Sequence, residues 1–348
     1  MLVIALFRTA GVGDVVLATV AIDLIREAEP EAEIHWFGRK PMLDLIKGYY
    51  PFVHVHEILS SASFTAHCQV INGASSRFDL IIDLQKSLRT FLLGNWMANK
   101  FHCPYYSWKK QSLRRSALVW QSRIRGRKTV LELFPSSLKN RSQAFTACVI
   151  LALQKQGKGS ALLSGRSIPK LPHNQIRTPK TIAICLGSSF SAKELPLYKT
   201  AELLRYILEQ DLARKIYFLG DRNKHAEAEQ LIASSGVPER FQNCCGQTSL
   251  PEAGDILATA AFSVGNDSGL AHLSESVGTP ALVFFGPTDE RFGYRMHLPL
   301  SKIFSVTLGC RPCTKDGNAV CRYKDYLCLH SIPLEPVFEH MLLLSKTG

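Results

Sequence analysis

Asp267, Ser268, Gly269 and His272 stand between two short apolar runs, Ala261 to Val264 and Ala281 to Phe285, each of which stops at a glycine. The first run reads as a buried strand. The residues after it read as a tight turn entering a helix, whose first amides are free to receive an anion at the mouth of a sheet. A diphosphate fits such a place. A second polar turn, Gly187-Ser188-Ser189-Phe190-Ser191-Ala192-Lys193, follows the apolar run Ile182 to Leu186. Its small hydroxyl residues and Lys193 can bind phosphate oxygens through hydroxyls, amides and one ammonium. A third, Gly11-Val12-Gly13-Asp14, follows the first apolar run and holds one carboxylate at the start of a helix. It is not a dinucleotide fingerprint, because Val16 occupies the place of the third glycine and Gly38-Arg39-Lys40 supplies no acid for a ribose. Asp14 is therefore either a helix cap or a base.

These turns need strands to carry them. Leu2 to Phe7, Ile34 to Phe37 and Leu80 to Leu84 are apolar runs separated by segments of helical period such as Val15 to Glu29. The alternation restarts with Ile182 to Leu186, Ile216 to Leu219, Phe262 to Val264 and Leu282 to Phe285, ending at Gly187, Gly220, Gly265 and Gly286. Such a βα rhythm predicts α/β structure with parallel sheets. Between the two series, Arg166 to Thr181 carries three prolines and no apolar period, the composition of an exposed connection. The expectation is two domains, 1–170 and 171–348, and 348 residues suffice for two cores.

Charge is concentrated. Of a net charge of +12, all is accounted for between Lys86 and Ser142, where 13 Lys and Arg face one acid, Glu132. Trp96, Tyr105, Tyr106, Trp108 and Trp120 are interleaved with the cations, which suits an anionic partner with an apolar part, such as phosphorylated lipid at a bilayer surface. No helix-turn-helix, zinc-finger or RNA-binding motif accompanies them, so no nucleic acid is expected. No run approaches the roughly 18 apolar residues of a membrane span. The N-terminal MLVIALFRTAGVGD lacks a basic lead and reads as a first strand, so a cytoplasmic protein is expected.

Four of the ten cysteines, Cys310, Cys313, Cys321 and Cys328, cluster in a loop over 309–330 with Gly309, Pro312 and Gly317. That spacing admits a tetrahedral structural zinc or iron, four free thiols, or disulfides, the last disfavoured in the cytosol. The remaining six read as small core residues.

The order D-S-G-L-A-H-L, then G-T-P, then F-G-P-T-D between Asp267 and Asp289 resembles the C-terminal signature of the ADP-heptose:lipopolysaccharide heptosyltransferases, glycosyltransferase family 9. The resemblance implies the GT-B architecture, two Rossmann-like doubly wound domains facing across a cleft, with the acceptor taken by the first and the nucleotide sugar by the second. It implies inverting transfer of heptose from ADP-heptose to a hydroxyl of the lipopolysaccharide inner core, on a phosphorylated glycolipid at the cytoplasmic face of the inner membrane, without a catalytic cofactor. Asp14 then resembles the base of the G-[VL]-G-D motif. Asp267 would hold hydroxyls of the donor sugar, with Ser268, Gly269 and His272 facing the diphosphate. Ser188, Ser189 and Lys193 match a family turn in which a Trp-Pro follows the Lys; here Leu195 precedes Pro196. Glu227 matches a ribose-binding position only loosely and reads better as a solvated helix face. Lys86, Arg89, Lys109, Lys110, Arg114 and Arg115 are candidates for acceptor phosphates. The cysteine cluster is similar to that of some members, including iron-holding heptosyltransferases that modify proteins, so a protein acceptor is the alternative within enzymes. A nucleotide-dependent oxidoreductase and a non-catalytic module for anionic glycolipid are the alternatives outside it.

Overall fold

In a computed structural model, residues 1–126, 140–158 and 167–347 are described. The stretch 127–139 of the basic segment, Glu132 included, and Arg166 at the head of the proline-rich connection lie outside the described residues. In chain order the first half runs β1 (Val3–Phe7), α1 (Val12–Ala18), α2 (Val20–Ala28), β2 (Glu33–Gly38), α3 (Met42–Tyr49), β3 (His54–Glu57), α4 (Phe64–Ala74), β4 (Leu80–Asp83), α5 (Leu88–Phe101), β5 (Tyr105–Ser107), α6 (Ser112–Arg125) and α7 (Arg141–Lys155). The second half runs β6 (Thr181–Cys185), α8 (Leu197–Glu209), β7 (Lys215–Leu219), α9 (His225–Ser234), β8 (Phe241–Asn243), α10 (Leu250–Thr259), β9 (Phe262–Asn266), α11 (Gly269–Ser276), β10 (Ala281–Phe284), β11 (Lys302–Phe304), α12 (Leu327–His330) and α13 (Glu335–Thr347).

The chain divides into two units. The first comprises Met1–Lys110, Lys139–Pro172 and Ser249–Pro251; the second Gln111–Leu138, His173–Thr248 and Glu252–Gly348. In the first, a parallel sheet runs in the order β3-β2-β1-β4-β5. In the second, the order is β11-β10-β9-β6-β7-β8, again parallel. Both are the doubly wound order, in which the strand sequence reverses between β1 and β4 and between β6 and β9, and ligands bind at the carboxyl ends beside that reversal. The central strands are covered on both faces. Every residue of β1, β4, β6 and β10 is buried, which is why each reads as an unbroken apolar run.

Each apolar run singled out above lies in a strand, and the helical stretch after β1 is two helices meeting at Thr19, whose hydroxyl donates to the Val16 carbonyl at 2.8 Å. The strands that periodicity does not predict are the outer β3, β5, β8 and β11, only three or four residues each. Their sequences, HVHE, YYS, FQN and KIF, are too short and too polar to show a period of two. Sequence order groups α6 with the first half, whereas in space it belongs to the second unit. Leu118 and Val119 pack against Phe292, and Ser122 donates through its hydroxyl to the Pro312 carbonyl at 2.5 Å. Conversely Pro251, far along the chain, belongs to the first unit, where Tyr49 donates its phenol to the Pro251 carbonyl at 3.3 Å.

Among the described residues no helix is long and apolar enough to cross a membrane.

Candidate functional site

In the first unit the chain leaves β1 through Arg8 and turns at Gly11, whose φ of 85° only a glycine adopts cheaply. Gly11 accepts the amide of Val15 and so starts α1, which places Asp14 in the first helical turn, beside the β1/β4 reversal. Among the described residues the Asp14 carboxylate is gripped by two guanidinium groups: Oδ2 pairs with Arg8, and Oδ1 with Arg141 Nη1 at 2.8 Å. Arg8 and Arg141 expose only 4% and 8% of their side chains and Asp14 15%. Each cation is held by more than the carboxylate. Arg8 also donates to the Leu84 carbonyl at 2.9 Å and lies 5.7 Å from the Phe145 ring centroid. Arg141 lies 5.6 Å from that of Trp108. Trp108 is itself buried, and its Nε1 donor has no partner among the described residues.

The end of β4 adds a second carboxylate. Asp83 is fully buried and accepts from the amides of Gln85 and Lys86 at 2.9 and 2.7 Å and from the Tyr105 hydroxyl at 2.9 Å. Burial and the Asp83 charge push the Tyr105 phenol well above its ordinary value, so it remains a donor. Lys86 has a φ of 50° in this turn, and its carbonyl accepts Lys110 Nζ at 2.9 Å. Burial lowers Lys110 below its usual value, Arg8 and Arg141 lower it further, and Asp83 and Asp14 oppose them. Lys110, Arg8 and Arg141 therefore set three cations against the carboxylates of Asp14 and Asp83. Arg89, on α5, donates to the Ser60 carbonyl at 2.6 Å, and Lys109 is exposed. Of the other acceptor candidates, both on α6 in the second unit, Arg114 is exposed. Arg115 is committed to its own unit, donating to the Lys315 carbonyl at 2.9 Å and pairing with Asp316 at 3.1 Å.

In the second unit the turns after β6 and β9 meet at the β6/β9 reversal. Lys193, in a single turn of 3-10 helix, places Nζ 2.8 Å from Oδ2 of Asp267, with side-chain exposures of 11% and 8%. Thr288, from the Phe285-to-Asp289 stretch, donates to the same Oδ2 at 2.6 Å. Among the described residues no partner faces Oδ1, which leaves one carboxylate oxygen for a ligand hydroxyl. Ser268 is the N-cap of α11 but makes no cap bond. Its Oγ is buried with no partner among the described residues, and the leading amides of α11 are left without the side-chain acceptor that an N-cap serine normally supplies. Gly269 opens that helix and His272 lies buried in it, its ring 5.7 Å from that of Tyr294. Ser188 closes its own turn, donating to the Phe190 carbonyl at 3.1 Å and accepting the Phe190 amide at 3.2 Å, whereas Ser189 is exposed.

Several residues of this site carry no sequence signal. Asn266 ties the two turns together, accepting the Leu195 amide at 2.8 Å and donating to the Gly187 carbonyl at 3.1 Å. Lys224 bridges Glu194 and Glu227 at 2.7 and 2.8 Å; burial lowers its pKa, but the two carboxylates outweigh burial and raise it. Glu227 thus belongs to an ion-paired cluster and lines a small cavity with Gly187, Glu194, Leu195 and Asn266, and is not a solvated helix face.

The cysteine loop underlies this site. Arg311 donates to the carbonyls of Gly286, Phe285 and Thr288 at 2.5, 3.1 and 3.0 Å, satisfying the chain where it leaves β10. Gly317, at a φ of 93°, lies against Lys193: a Cβ there would stand 2.3 Å from the lysine Cδ. Of the readings open to the cysteine spacing, the four-thiol metal centre is not closed as the loop stands. Cys310, Cys321 and Cys328 all act electrostatically on Cys313, yet among the described residues no three His, Cys, Asp or Glu are grouped to hold an ion. Cys313 Sγ is turned to the Cys310 carbonyl at 2.9 Å and Cys321 Sγ lies 3.9 Å from Asp325. Burial pushes the Cys313 thiol up to about 12 and the Cys328 thiol up to about 11, so both stay protonated while no ion is bound.

Comparison with known proteins follows the same lines. The chain is 30% identical over 145 residues to lipooligosaccharide heptosyltransferase 2 of Haemophilus influenzae, over 40% of this chain and only 37% of that protein. It is 21% identical over 307 residues to lipopolysaccharide heptosyltransferase 1 of Campylobacter coli, over 82% and 84% of the two chains. Among solved structures, the ADP-heptose lipopolysaccharide heptosyltransferase II of Escherichia coli superposes with a TM-score of 0.68 at 16% identity, covering 100% of this chain and 99% of that one, which shows a shared GT-B fold. The family description for glycosyltransferase family 9 (heptosyltransferase) matches residues 73–327, and the chain belongs to that family.

Proposed function

We propose that this chain is an inverting glycosyltransferase that moves heptose from ADP-heptose to a hydroxyl of the lipopolysaccharide inner core, working on a phosphorylated glycolipid at the cytoplasmic face of the inner membrane. The observation that carries the reading is the arrangement around Asp267: one oxygen occupied by Lys193 and Thr288, the other open, beside an uncapped helix start with the unpartnered Ser268 hydroxyl. That arrangement suits a sugar hydroxyl and a diphosphate together.

The chemistry needs little more. A nucleoside diphosphate leaves readily if positive potential meets the charge that grows on it. Lys193 and the first amides of α11 supply that potential. The acceptor hydroxyl must lose its proton as it attacks the anomeric carbon, and Asp14 takes that proton. One displacement from the face opposite the leaving group inverts the anomeric centre. Arg8 and Arg141 fix the carboxylate through both oxygens, and the neighbouring cationic excess of Lys86 and Lys110 suits an acceptor that carries phosphate or carboxylate groups. No step runs through a metal. For the cysteine loop the reading keeps a structural role, with zinc or iron as the ion that four thiols would hold after closing together; elemental analysis of the purified chain reads that directly.

Calorimetric titration with ADP, ADP-heptose, UDP and NAD tests the reading. The expected result is binding of ADP and ADP-heptose alone, together with an Asp14→Ala variant that has lost transfer and kept its affinity for ADP. NAD binding would return the chain to the oxidoreductases, and loss of ADP affinity in Asp14→Ala would remove Asp14 from the role of base.

A further inference from the structure

Helix α6 (Ser112–Arg125) is amphipathic the wrong way round for a surface helix. Its inner face is mixed: Leu118 and Val119 are buried against Phe292, Ser122 and Gln121 are buried, and Arg115 is tied to Lys315 and Asp316. Its outer face is apolar. Leu113, Trp120 and Ile124 expose 86%, 63% and 63% of their surface, and at 3.6 residues per turn they fall in one stripe along the helix. Arg114 and Arg123, both exposed, flank that stripe on either side. The helix contains no Asp or Glu.

We propose that the outer face of α6 docks on an anionic phospholipid bilayer, lying in the interface with Leu113, Trp120 and Ile124 among the acyl chains and Arg114 and Arg123 at the lipid phosphates. Three features select that occupant. Large apolar side chains left in water over successive turns mark a contact surface. An indole at the rim of such a stripe suits the boundary between headgroup and acyl chain. Arginines at its edges reach phosphate oxygens while their stems stay on the apolar side, the pattern of interfacial helices. A second copy of the chain fits poorly: isologous pairing would oppose cationic edges with no acid on the helix to offset them. The proposal deepens the reading of a lipid-linked acceptor, since it supplies the means by which the enzyme stays at the surface that carries it. It is testable without donor or acceptor, so failure of transfer and failure of docking are separate results.

The test is flotation of the full chain with vesicles of phosphatidylcholine alone and of phosphatidylcholine containing phosphatidylglycerol, with Trp120 emission read alongside. The wild type should float with the anionic vesicles, shift its emission to the blue and release as salt rises. The Leu113→Ser, Trp120→Ser, Ile124→Ser triple variant, altered only at exposed positions, should keep the wild-type circular dichroism and melting temperature and bind the anionic vesicles at least about tenfold more weakly. Arg114→Gln with Arg123→Gln should erase the preference for anionic over neutral vesicles. A wild type that stays in solution, a triple variant that floats as the wild type does, or a wild-type dimer that the triple variant dissociates would each overturn the proposal.

Discussion

Lys193 and Asp267 form the most enclosed ion pair of the second unit's site, and replacing Lys193 with Met tests whether that pair acts as a unit. The substitution keeps an unbranched apolar stem of similar length but removes the ammonium 2.8 Å from a carboxylate that is 8% exposed. Among the described residues Asp267 then retains the Thr288 hydroxyl at 2.6 Å as its one side-chain partner. Breaking a buried pair by deleting one partner costs several kcal/mol; because both side chains keep slight contact with water, the lower end applies, about 3 kcal/mol. For a unit of this size that is a fall in melting temperature of about 6–12 °C. Asp267→Asn should cost less, about 1 kcal/mol, because the lysine stem can turn its ammonium to water while an aspartate cannot. The double variant, with no charge left to strand, should recover about 2 kcal/mol of the sum of the single losses. Urea denaturation of the four proteins measures this coupling, and ADP titration on the same samples separates it from function. Affinity for ADP should fall by about tenfold to a hundredfold in both proteins that lack Lys193, the loss expected for one charge-assisted contact to phosphate. A Lys193→Met protein as stable as the wild type, or a double variant whose losses simply add, would refute the paired arrangement.

Arg141→Gln removes one of the two guanidinium groups that grip Asp14 among the described residues, so kcat should fall by about tenfold to a hundredfold with ADP affinity unchanged; steady-state kinetics check it, and an unchanged kcat would show that the second grip is unnecessary. Gly317→Ala places a Cβ 2.3 Å from Lys193 Cδ at a φ of 93°, so it should cost about 1–2 kcal/mol in backbone strain and weaken ADP by displacing the lysine; equal melting temperatures and equal ADP affinities would refute the contact. His35 and His56 sit side by side on β2 and β3, His35 Nδ1 and His56 Nε2 2.9 Å apart, with Glu33 2.8 Å from the other His35 nitrogen. Burial, then His35 and His54, lower His56 to about 4, and burial lowers His35 despite Glu33. The unfolded chain therefore takes up these protons first, and stability that is complete above about pH 6.5 should decline towards pH 4 by about 1.4 kcal/mol per pH unit for each site that stays neutral in the fold. Urea midpoints across that range should fall less steeply in His56→Asn; parallel curves would count against the cluster.

The sequence was informative where a physical requirement left a local mark. Strands covered on both faces must be apolar throughout, so β1, β4, β6 and β10 stand out as runs, and the turns after β1, β6 and β9 carry Asp14, Lys193 and Asp267 because those turns are where the sheet opens. The edge strands were illegible for the converse reason: β3, β5, β8 and β11 are short, partly solvated, and held by one neighbour each. The cysteine spacing was legible as a cluster, but spacing says nothing of where sulfur points, and the loop commits Arg311 to the carbonyls after β10 and Gly317 to contact with Lys193.

The sequence by itself determined the α/β class, the two series of strands, the family resemblance and the residues at the strand ends, since each depends on the period and type of neighbouring residues. Only the tertiary structure decided that Asp14 is held by Arg8 and by Arg141, 127 positions away, that Lys193 and Asp267 neutralise each other, that Lys224 joins Glu194 to Glu227, and that α6 leaves the half in which it is encoded. Those outcomes are pairings between segments distant in the chain. Buried charge must find a partner, but which partner is set by where the strands of a doubly wound sheet end, and that order in space is not the order in sequence.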